Sequence, residues 1–312
     1  MKIVSYNSFG GIEKLGLTEL NKPEPLADEV LIKIKAVSIN PLDWKIRKGE
    51  MKLMSGSKFP KKIGIDFSGS VEKVGPKVTL FKNEDLVFGA VNGMKEGALG
   101  EYVIVKESQL FQKPENLSFS QAASIPVVGA GAFDAIYNLG KVKAGKQVLI
   151  NGATGGMGMF ALQLAKQAGA IVTAVANTDG IKLALDWGAD QVIDYTKINI
   201  IETEKKFDVI FDLSGRLNFK NTKLILTKNG IFINPIPVPV QIITSAIANI
   251  FSVQKNKILL SAVNKVAMDG ILAAVKKGLK IEVSKTFPFD DFKKAYEYCE
   301  KGKYFGKVTI EL

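Results

Sequence analysis

Residues 151–170 read NGATGGMGMFALQLAKQAGA, and Gly152, Gly155, Gly156 and Gly158 fall within seven positions directly after the strand-like Gln147–Ile150. Glycine costs folding entropy, so such a cluster is useful where something must approach the main chain more closely than side chains permit. With Ala153, Thr154 and Met157 among them, these residues lead into a helical run. Met157, Phe160, Ala161, Leu164, Ala165 and Ala168 recur at helical spacing and form one apolar face. A tight turn at that junction aims the free N–H groups and positive end of the helix at whatever lies above the sheet, and a pyrophosphate fits that description. The spacing departs from a literal G-x-G-x-x-G, so the glycines alone are compatible with a plain strand-to-helix turn. The order strand, turn, helix and next strand is what favours a dinucleotide.

That next strand, Ile171–Ala176, ends in Asn177-Thr178, where an NAD-binding unit places Asp or Glu to hold the ribose hydroxyls. Neutral side chains there remove the repulsion against a 2′-phosphate. Lys182, one turn into the following helix, offers a compensating charge, so NADPH is the expected cofactor. Asp179 is the contrary feature, and helix capping is its more economical role. Tyr137 and Lys141 have the Tyr-x-x-x-Lys spacing of another nicotinamide chemistry, but they precede the glycine turn and the match is read as chance.

The absence of histidine and the single cysteine, Cys299, exclude an internal disulfide, a Cys/His zinc site and a histidine-activated nucleophile. No metal is expected. The lone cysteine allows a reducing compartment, and a cytoplasmic location is the expectation. With 42 basic against 31 acidic residues the net charge is +11, which suits phosphates, anionic lipid or nucleic acid. The lysines are scattered singly, however, and read as a solvated surface. No nucleic-acid partner is expected, and membrane-surface contact is a second reading. Met1–Tyr6 lacks the pattern of a secretion signal. The uncharged run 231–253 holds three prolines, so it reads as buried strand, loop and helix.

Two kinds of element must position these residues, and 312 residues suffice for two domains. Glu29–Val37, Ser68–Val74 and Glu101–Val105 alternate apolar and polar residues and predict strands, while helical periodicity is scarce before Ser118. Ser118-Phe119-Ser120-Gln121 is a capping box ahead of an alanine-rich run. Beyond it, strands at 147–150, 171–176, 191–194, 208–213 and 230–234 alternate with helices, which predicts an α/β fold with a doubly wound parallel sheet. The tail predicts a helix capped by Asp290 and running to about Lys301, then a strand Lys307–Glu311. The expected domains are a β-rich one over 1–118, completed by 284–312, and a Rossmann domain over 119–283.

Several stretches together resemble the zinc-free quinone oxidoreductase branch of the medium-chain dehydrogenase/reductase superfamily along nearly the whole chain. They are AVSINPLDWKIRKG (36–49), GIDFSGSVEKVG (64–75), GALGEYVIVKES (97–108), AASIPVVGAGAFDAI (122–136), the glycine turn, GADQVIDY (188–195) and GKYFGKVTIEL (302–312). The NPLDWK variant looks most like homologues of organelle envelopes and their bacterial relatives. The resemblance implies a GroES-like catalytic domain, a Rossmann domain that takes NADPH, and a homodimer, with 231–253 at an interface or over the cofactor. Relatives hold the 2′-phosphate with a small hydroxyl residue after the second strand, a lysine in the next helix and a tyrosine after the third strand. Thr178 with Asn177, Lys182 and Tyr195 occupy these places.

The implied reaction is hydride transfer to a quinone or to the β-carbon of an enone, with negative charge growing on the carbonyl oxygen. Asn40 takes the place of an asparagine that lines the site in relatives, and Lys45 a place where many quinone reductases carry tyrosine. Lys45 is the expected electrostatic stabiliser or proton source, with Asn40 as its orienting neighbour; a solvated lysine is the alternative. Asp43, Arg47 and Asp66 are expected in structural pairing or turn capping, and Pro41 and Trp44 in shaping the cleft. Relatives often carry a threonine near the nicotinamide where this chain has Gly131. Enoyl-thioester or ketone reduction is the alternative activity, and a non-catalytic dinucleotide-binding protein at a membrane or nucleic acid is the alternative class.

Overall fold

The computed structural model describes residues 1–235, 245, 249, 252–260 and 262–312. The chain divides into two compact units, one of residues 1–127 with 282–312 and one of residues 128–281. In chain order the first unit contains β1 (Lys2–Tyr6), β2 (Gly16–Glu19), β3 (Glu29–Ser38), the short helices α1 (Pro41–Arg47) and α2 (Lys52–Ser55), and β4 (Lys61–Lys62). It continues with β5 (Asp66–Val74), β6 (Leu86–Ala90), β7 (Tyr102–Lys106), β8 (Leu110–Gln112) and α3 (Phe119–Ala123). The division falls within α4 (Pro126–Phe133). The second unit then runs β9 (Gln147–Asn151), α5 (Gly156–Gln167), β10 (Ile171–Ala176), α6 (Ile181–Asp186), β11 (Gln191–Asp194) and β12 (Phe207–Asp212). It ends with α7 (Phe219–Thr222), β13 (Leu226–Asn234), β14 (Lys255–Ile258) and α8 (Lys265–Lys276), and the tail returns to the first unit as β15 (Val283–Pro288), α9 (Phe292–Glu300) and β16 (Lys307–Glu311).

In the first unit a sheet of order β15-β16-β3-β5-β6-β8, with β7 also on β3, lies beside a small sheet of order β2-β1-β4. Strand β3 is the centre. It pairs antiparallel with β5, β7 and β16, and Val30, Ile32, Ile34 and Val37 enter the same core as Phe67, Val71 and the tail residues Tyr296 and Ile310. The tail strands complete this sheet, which is why the first unit needs both ends of the chain. The second unit is a parallel sheet of order β11-β10-β9-β12-β13-β14. Its central strand β9 buries Val148, Leu149 and Ile150 completely, as a strand covered on both faces must. Registers Ala176↔Asp194 and Asn151↔Asp212 bring the C-terminal ends of β9 to β12 into one row.

Helix α3 belongs with the first unit, not with the residues after 118 as the change of texture suggests. Ser68 Oγ donates to the Phe119 carbonyl at 2.6 Å, and Ser120 Oγ lies 2.9 Å from Thr309 Oγ1 and 2.7 Å from the Glu311 carboxylate. The capping box itself forms, with Gln121 N donating to Ser118 Oγ and Ser118 N to Gln121 Oε1. Asp290 does not cap the tail helix, because a 3-10 turn over Phe289–Asp291 precedes it and Asp291 takes the N-cap position. Of the run 231–253, residues 231–234 finish β13, and most of the rest, with its expected role at an interface or over a cofactor, lies outside the described residues. Among the described residues no helix is long and apolar enough to cross a membrane.

At the β3–β5 pairing the register shifts between Ile34 and Ala36, and the main chain of β3 closes onto Gly69, where a Cβ would lie 2.2 Å from the Lys33 carbonyl oxygen. Backbone in mid-sheet cannot retreat. Gly69→Ala should therefore lose about 1–3 kcal/mol of stability by overpacking, read as a lowered Tm. An unchanged Tm would show that the bulge yields.

Candidate functional site

In the second unit, Gly152 leaves β9 at φ +83°, a left-handed conformation that favours glycine. Its N–H and that of Ala153 both donate to the Val175 carbonyl at 3.1 Å, which fastens the turn to the end of β10. A Cβ on Gly158 would lie 2.3 Å from the Gly152 carbonyl oxygen and 2.7 Å from the Ala153 carbonyl, so the first turn of α5 rests directly on the turn before it. Helix α5 is 12 residues long, its N-cap is Gly155, and no side chain caps it. Its first-turn amides are therefore left to an acceptor from outside the helix. An uncapped helix start of this kind fits a diphosphate: Gly156, Met157 and Gly158 would offer their first-turn amides, while Gly152, Ala153, Thr154 and Gly155, whose turn is tied to β10 and to itself, would shape the cradle that holds it.

The ends of β10 and β11 meet beside this turn. A Cβ on Gly180 would lie 3.1 Å from Thr154 Oγ1, which brings the loop after β10 against the glycine turn. Asn177 caps the turn Thr178–Gly180 by accepting from Gly180 N at 3.0 Å, so the capping role expected of Asp179 falls to Asn177. Thr178 Oγ1 donates to Asp194 Oδ2 at 2.5 Å, while Thr196 donates its hydroxyl and its N–H to Asp194 Oδ1 at 2.7 and 3.0 Å. These bonds, that of Thr178 foremost, hold the Asp194 carboxyl down to about 2. Tyr195 N donates to the Ala176 carbonyl, which brings the exposed Tyr195 to the end of β10, where Asn177 and Thr178 follow. Lys182 does not join them. Its ammonium pairs with Asp186 at 2.5 Å, one turn along its own helix, in an exposed ion pair that is easily exchanged. Tyr137 packs on the Phe133 ring and donates to the Leu164 carbonyl, so its spacing to Lys141 reflects packing.

In the first unit the predicted Asn40 and Lys45 are not partners. Asn40 is buried at the N-cap of α1, and its N–H donates to Asp43 Oδ2 at 2.9 Å. Its side-chain amide donates to Asp66 Oδ2 at 2.9 Å, and its Oδ1 accepts from Lys307 Nζ at 2.6 Å. Lys307 also donates to the Ile39 carbonyl at 2.7 Å, and Asp66 accepts from Val127 N in the first turn of α4. Asn40 thus fixes the entry to α1 and does not orient Lys45, because its polar atoms are occupied inward. Lys45 sits half-buried on α1, and its ammonium has no hydrogen bond or ion pair among the described residues. Arg47, fully buried, donates to the Gly10 carbonyl and to Glu300, so structural pairing holds for Arg47, Asp43 and Asp66 alike.

Lys307 is the member that sequence reasoning missed. Period-two alternation groups it with Thr309 and Glu311 on the polar face of β16, and α3 covers that face, so the lysine is buried. Burial lowers its pKa against the pull of Asp66 and Asp43. Burial likewise pushes the Asp43 carboxyl up to about 7 and that of Asp66 up to about 6.

A parallel sheet with an uncapped glycine turn at its C-terminal edge, joined to a β-rich unit completed by the tail, defines a two-domain dehydrogenase or reductase of the dinucleotide-binding class. Residues 26–115 match the family described as alcohol dehydrogenase GroES-like domain, and residues 187–310 that described as zinc-binding dehydrogenase. The 2-methylene-furan-3-one reductase of Solanum lycopersicum is 35% identical, with 99% of this chain and 79% of that protein covered. The chloroplastic NADPH-dependent alkenal/one oxidoreductase of Arabidopsis thaliana is 34% identical over the same shares, 99% and 79%. The structure of the quinone oxidoreductase from Coxiella burnetii superposes with a TM-score of 0.91 at 30% identity, covering 100% of this chain and 99% of that one. The chain belongs to the medium-chain dehydrogenase/reductase superfamily, alongside its quinone oxidoreductase homologues. Unlike the zinc-dependent members it has no histidine and one cysteine to offer a metal.

Two outcomes are expected. Gly158→Ala should lower stability by about 1–3 kcal/mol and abolish tight dinucleotide binding, since backbone meets the new methyl group; calorimetric titration that finds native affinity would contradict the packing described. Asp43 and Asp66 bind protons more tightly in the folded chain than in the unfolded one, so their contribution to stability is complete below about pH 4 and is lost as pH rises through about 6 to 7. Asp43→Asn removes one of these titrations, and the fall of Tm between about pH 5 and pH 8 should become shallower than in the wild type. Parallel Tm profiles for the two proteins would show that Asp43 does not titrate in this window.

Proposed function

We propose that the protein is an NADPH-dependent oxidoreductase that reduces quinones or α,β-unsaturated carbonyls without zinc. The observation that carries the reading is the glycine turn with its uncapped helix, followed by a β10 that ends in neutral Asn177-Thr178. A carboxylate beside that end, Asp194, lies on the neighbouring strand and is occupied by two threonine hydroxyls. The NADPH-dependent relative and the quinone oxidoreductase structure support the same chemistry.

When bound, the nicotinamide supplies a hydride. The chain's own task is to answer the negative charge that grows on the substrate oxygen, and without zinc ligands that falls to fixed dipoles and cations. Lys45 suits this role because its ammonium is not spent on a carboxylate, whereas Arg47 and Lys48 are both paired with Glu300. Asn40, Asp66 and Lys307 fix the start of α1, the helix that carries Lys45. The reading extends to a homodimer and a cytoplasmic location, and the single buried Cys299 makes no demand for an oxidising compartment.

A screen of NADPH oxidation across quinones, alkenals and enones, with NADH in parallel, tests the proposal; no turnover with any acceptor would overturn it. Lys45→Ala should reduce kcat on the order of 100-fold at nearly constant KM for NADPH, the loss typical of one stabilising donor. Unchanged turnover of every accepted substrate would remove Lys45 from the mechanism.

A further inference from the structure

We propose that Arg216, on the loop after β12, selects the phosphorylated coenzyme by receiving the adenosine 2′-phosphate beside Tyr195. This deepens the NADPH reading and rests on it.

Arg216 belongs to a loop that leans over the glycine turn. Leu213 N donates to the Asn151 carbonyl at 2.9 Å, and a Cβ on Gly152 would lie 3.3 Å from Leu213 Cβ. Asp212 then ties the loop into a closed turn. Its Oδ1 accepts from Ser214 N at 3.1 Å, from Ser214 Oγ at 2.7 Å and from the Asn151 amide at 2.8 Å, and its Oδ2 accepts from Leu217 N at 3.0 Å. Gly215, at φ +69°, permits the bend. The loop so fixed carries Arg216 across to β11, where its guanidinium carbon stands 5.4 Å from the centroid of the Tyr195 ring.

Charge accounting at this corner singles out the arginine. The Asp194 carboxylate is faced by Lys197 at 3.6 Å, and Lys182 is paired with Asp186. Asp179 adds an exposed carboxylate on the turn that begins at Thr178. A phosphate placed there meets two acidic residues and needs a cation that is not already neutralised. Arg216 is exposed, and among the described residues its guanidinium has no carboxylate partner. A guanidinium held over the ring has N–H groups to spare, and its planar fork matches two phosphate oxygens as a lysine's point charge does not. The row of strand ends provides the meeting place: Thr178 from β10, Tyr195 from β11 and Arg216 from β12.

Calorimetric titration of the full-length protein with adenosine 2′,5′-bisphosphate and with adenosine 5′-monophosphate tests this directly. Wild-type protein should prefer the bisphosphate. In Arg216→Ala the bisphosphate affinity should fall by about 10- to 100-fold, the range of charge-assisted hydrogen bonds, while the monophosphate affinity stays within about twofold. Arg216→Lys should recover only part of the loss, and KM should rise for NADPH but not for NADH. A wild-type preference retained in Arg216→Ala, or an equal loss for both nucleotides, would overturn the proposal and leave the NADPH reading intact. Wild-type protein without any preference would overturn the NADPH reading itself, and the proposal with it.

Discussion

A methyl group has no room at position 158: a Cβ there would lie 2.3 Å from the Gly152 carbonyl oxygen. The first turn of α5 is therefore pressed against the turn that ends β9, and the same turn is fastened to β10 through the Val175 carbonyl. Sheet, turn and helix become one rigid corner, and the helix begins without a side-chain cap. Amides held in this way cannot satisfy themselves, because the geometry that exposes them also prevents the chain from folding back over them. The flanking loops follow from that corner. Gly180 closes on Thr154, and Leu213 closes on Gly152, so the loops after β10 and β12 both converge on it.

The β-rich unit solves a different problem. Lys307, Asp66, Asp43 and Asn40 are all buried, and a buried charge without partners would be costly. Asn40 resolves most of this by accepting a hydrogen bond from Lys307 at its amide oxygen and donating one to Asp66 from its amide nitrogen. Asp66 spends its remaining capacity on the start of α4, and Asp43 on the start of α1. The polar cluster is thus used to fix two helix starts, which explains why Asn40 is turned inward.

Much of this was legible in the residues. The alternation in Glu29–Val37 and Ser68–Val74 and the apolar runs at 147–150 and 171–176 are strands in the structure, because a strand's period of two and a buried strand's continuous apolarity leave direct traces. Helix α1 was not legible as a helix from periodicity, since seven residues hold barely two turns; its trace is instead Asn40-Pro41-Leu42-Asp43, a cap, an N1 proline and an acid at N3. Lys307 left no trace, because the face of β16 that alternation marks as polar is covered by an element almost two hundred positions away in the chain. Arg216 was equally silent. Its significance comes from the loop that Asp212 closes, and only three-dimensional register brings β12 and β11 to the same edge.

Gly131 shows how α4 and the glycine turn share space. A Cβ at this position would lie 2.6 Å from Met157 Cε and 3.2 Å from its sulfur, so the space that a side chain here would need is filled by the methionine of the glycine turn. The two positions are linked by volume: a residue without a side chain in α4 makes room for a long, adaptable one at the start of α5. The contact sits at the end of a flexible side chain and not at backbone, unlike the contacts at Gly69 and Gly158. Position 131 can therefore change size if Met157 moves, whereas Gly69 and Gly158 are held by main chain. Variation around the nucleotide corner is thus permitted where side chains meet and forbidden where backbones do, and this separates the parts of the site that can tune a substrate from the parts that must hold the coenzyme.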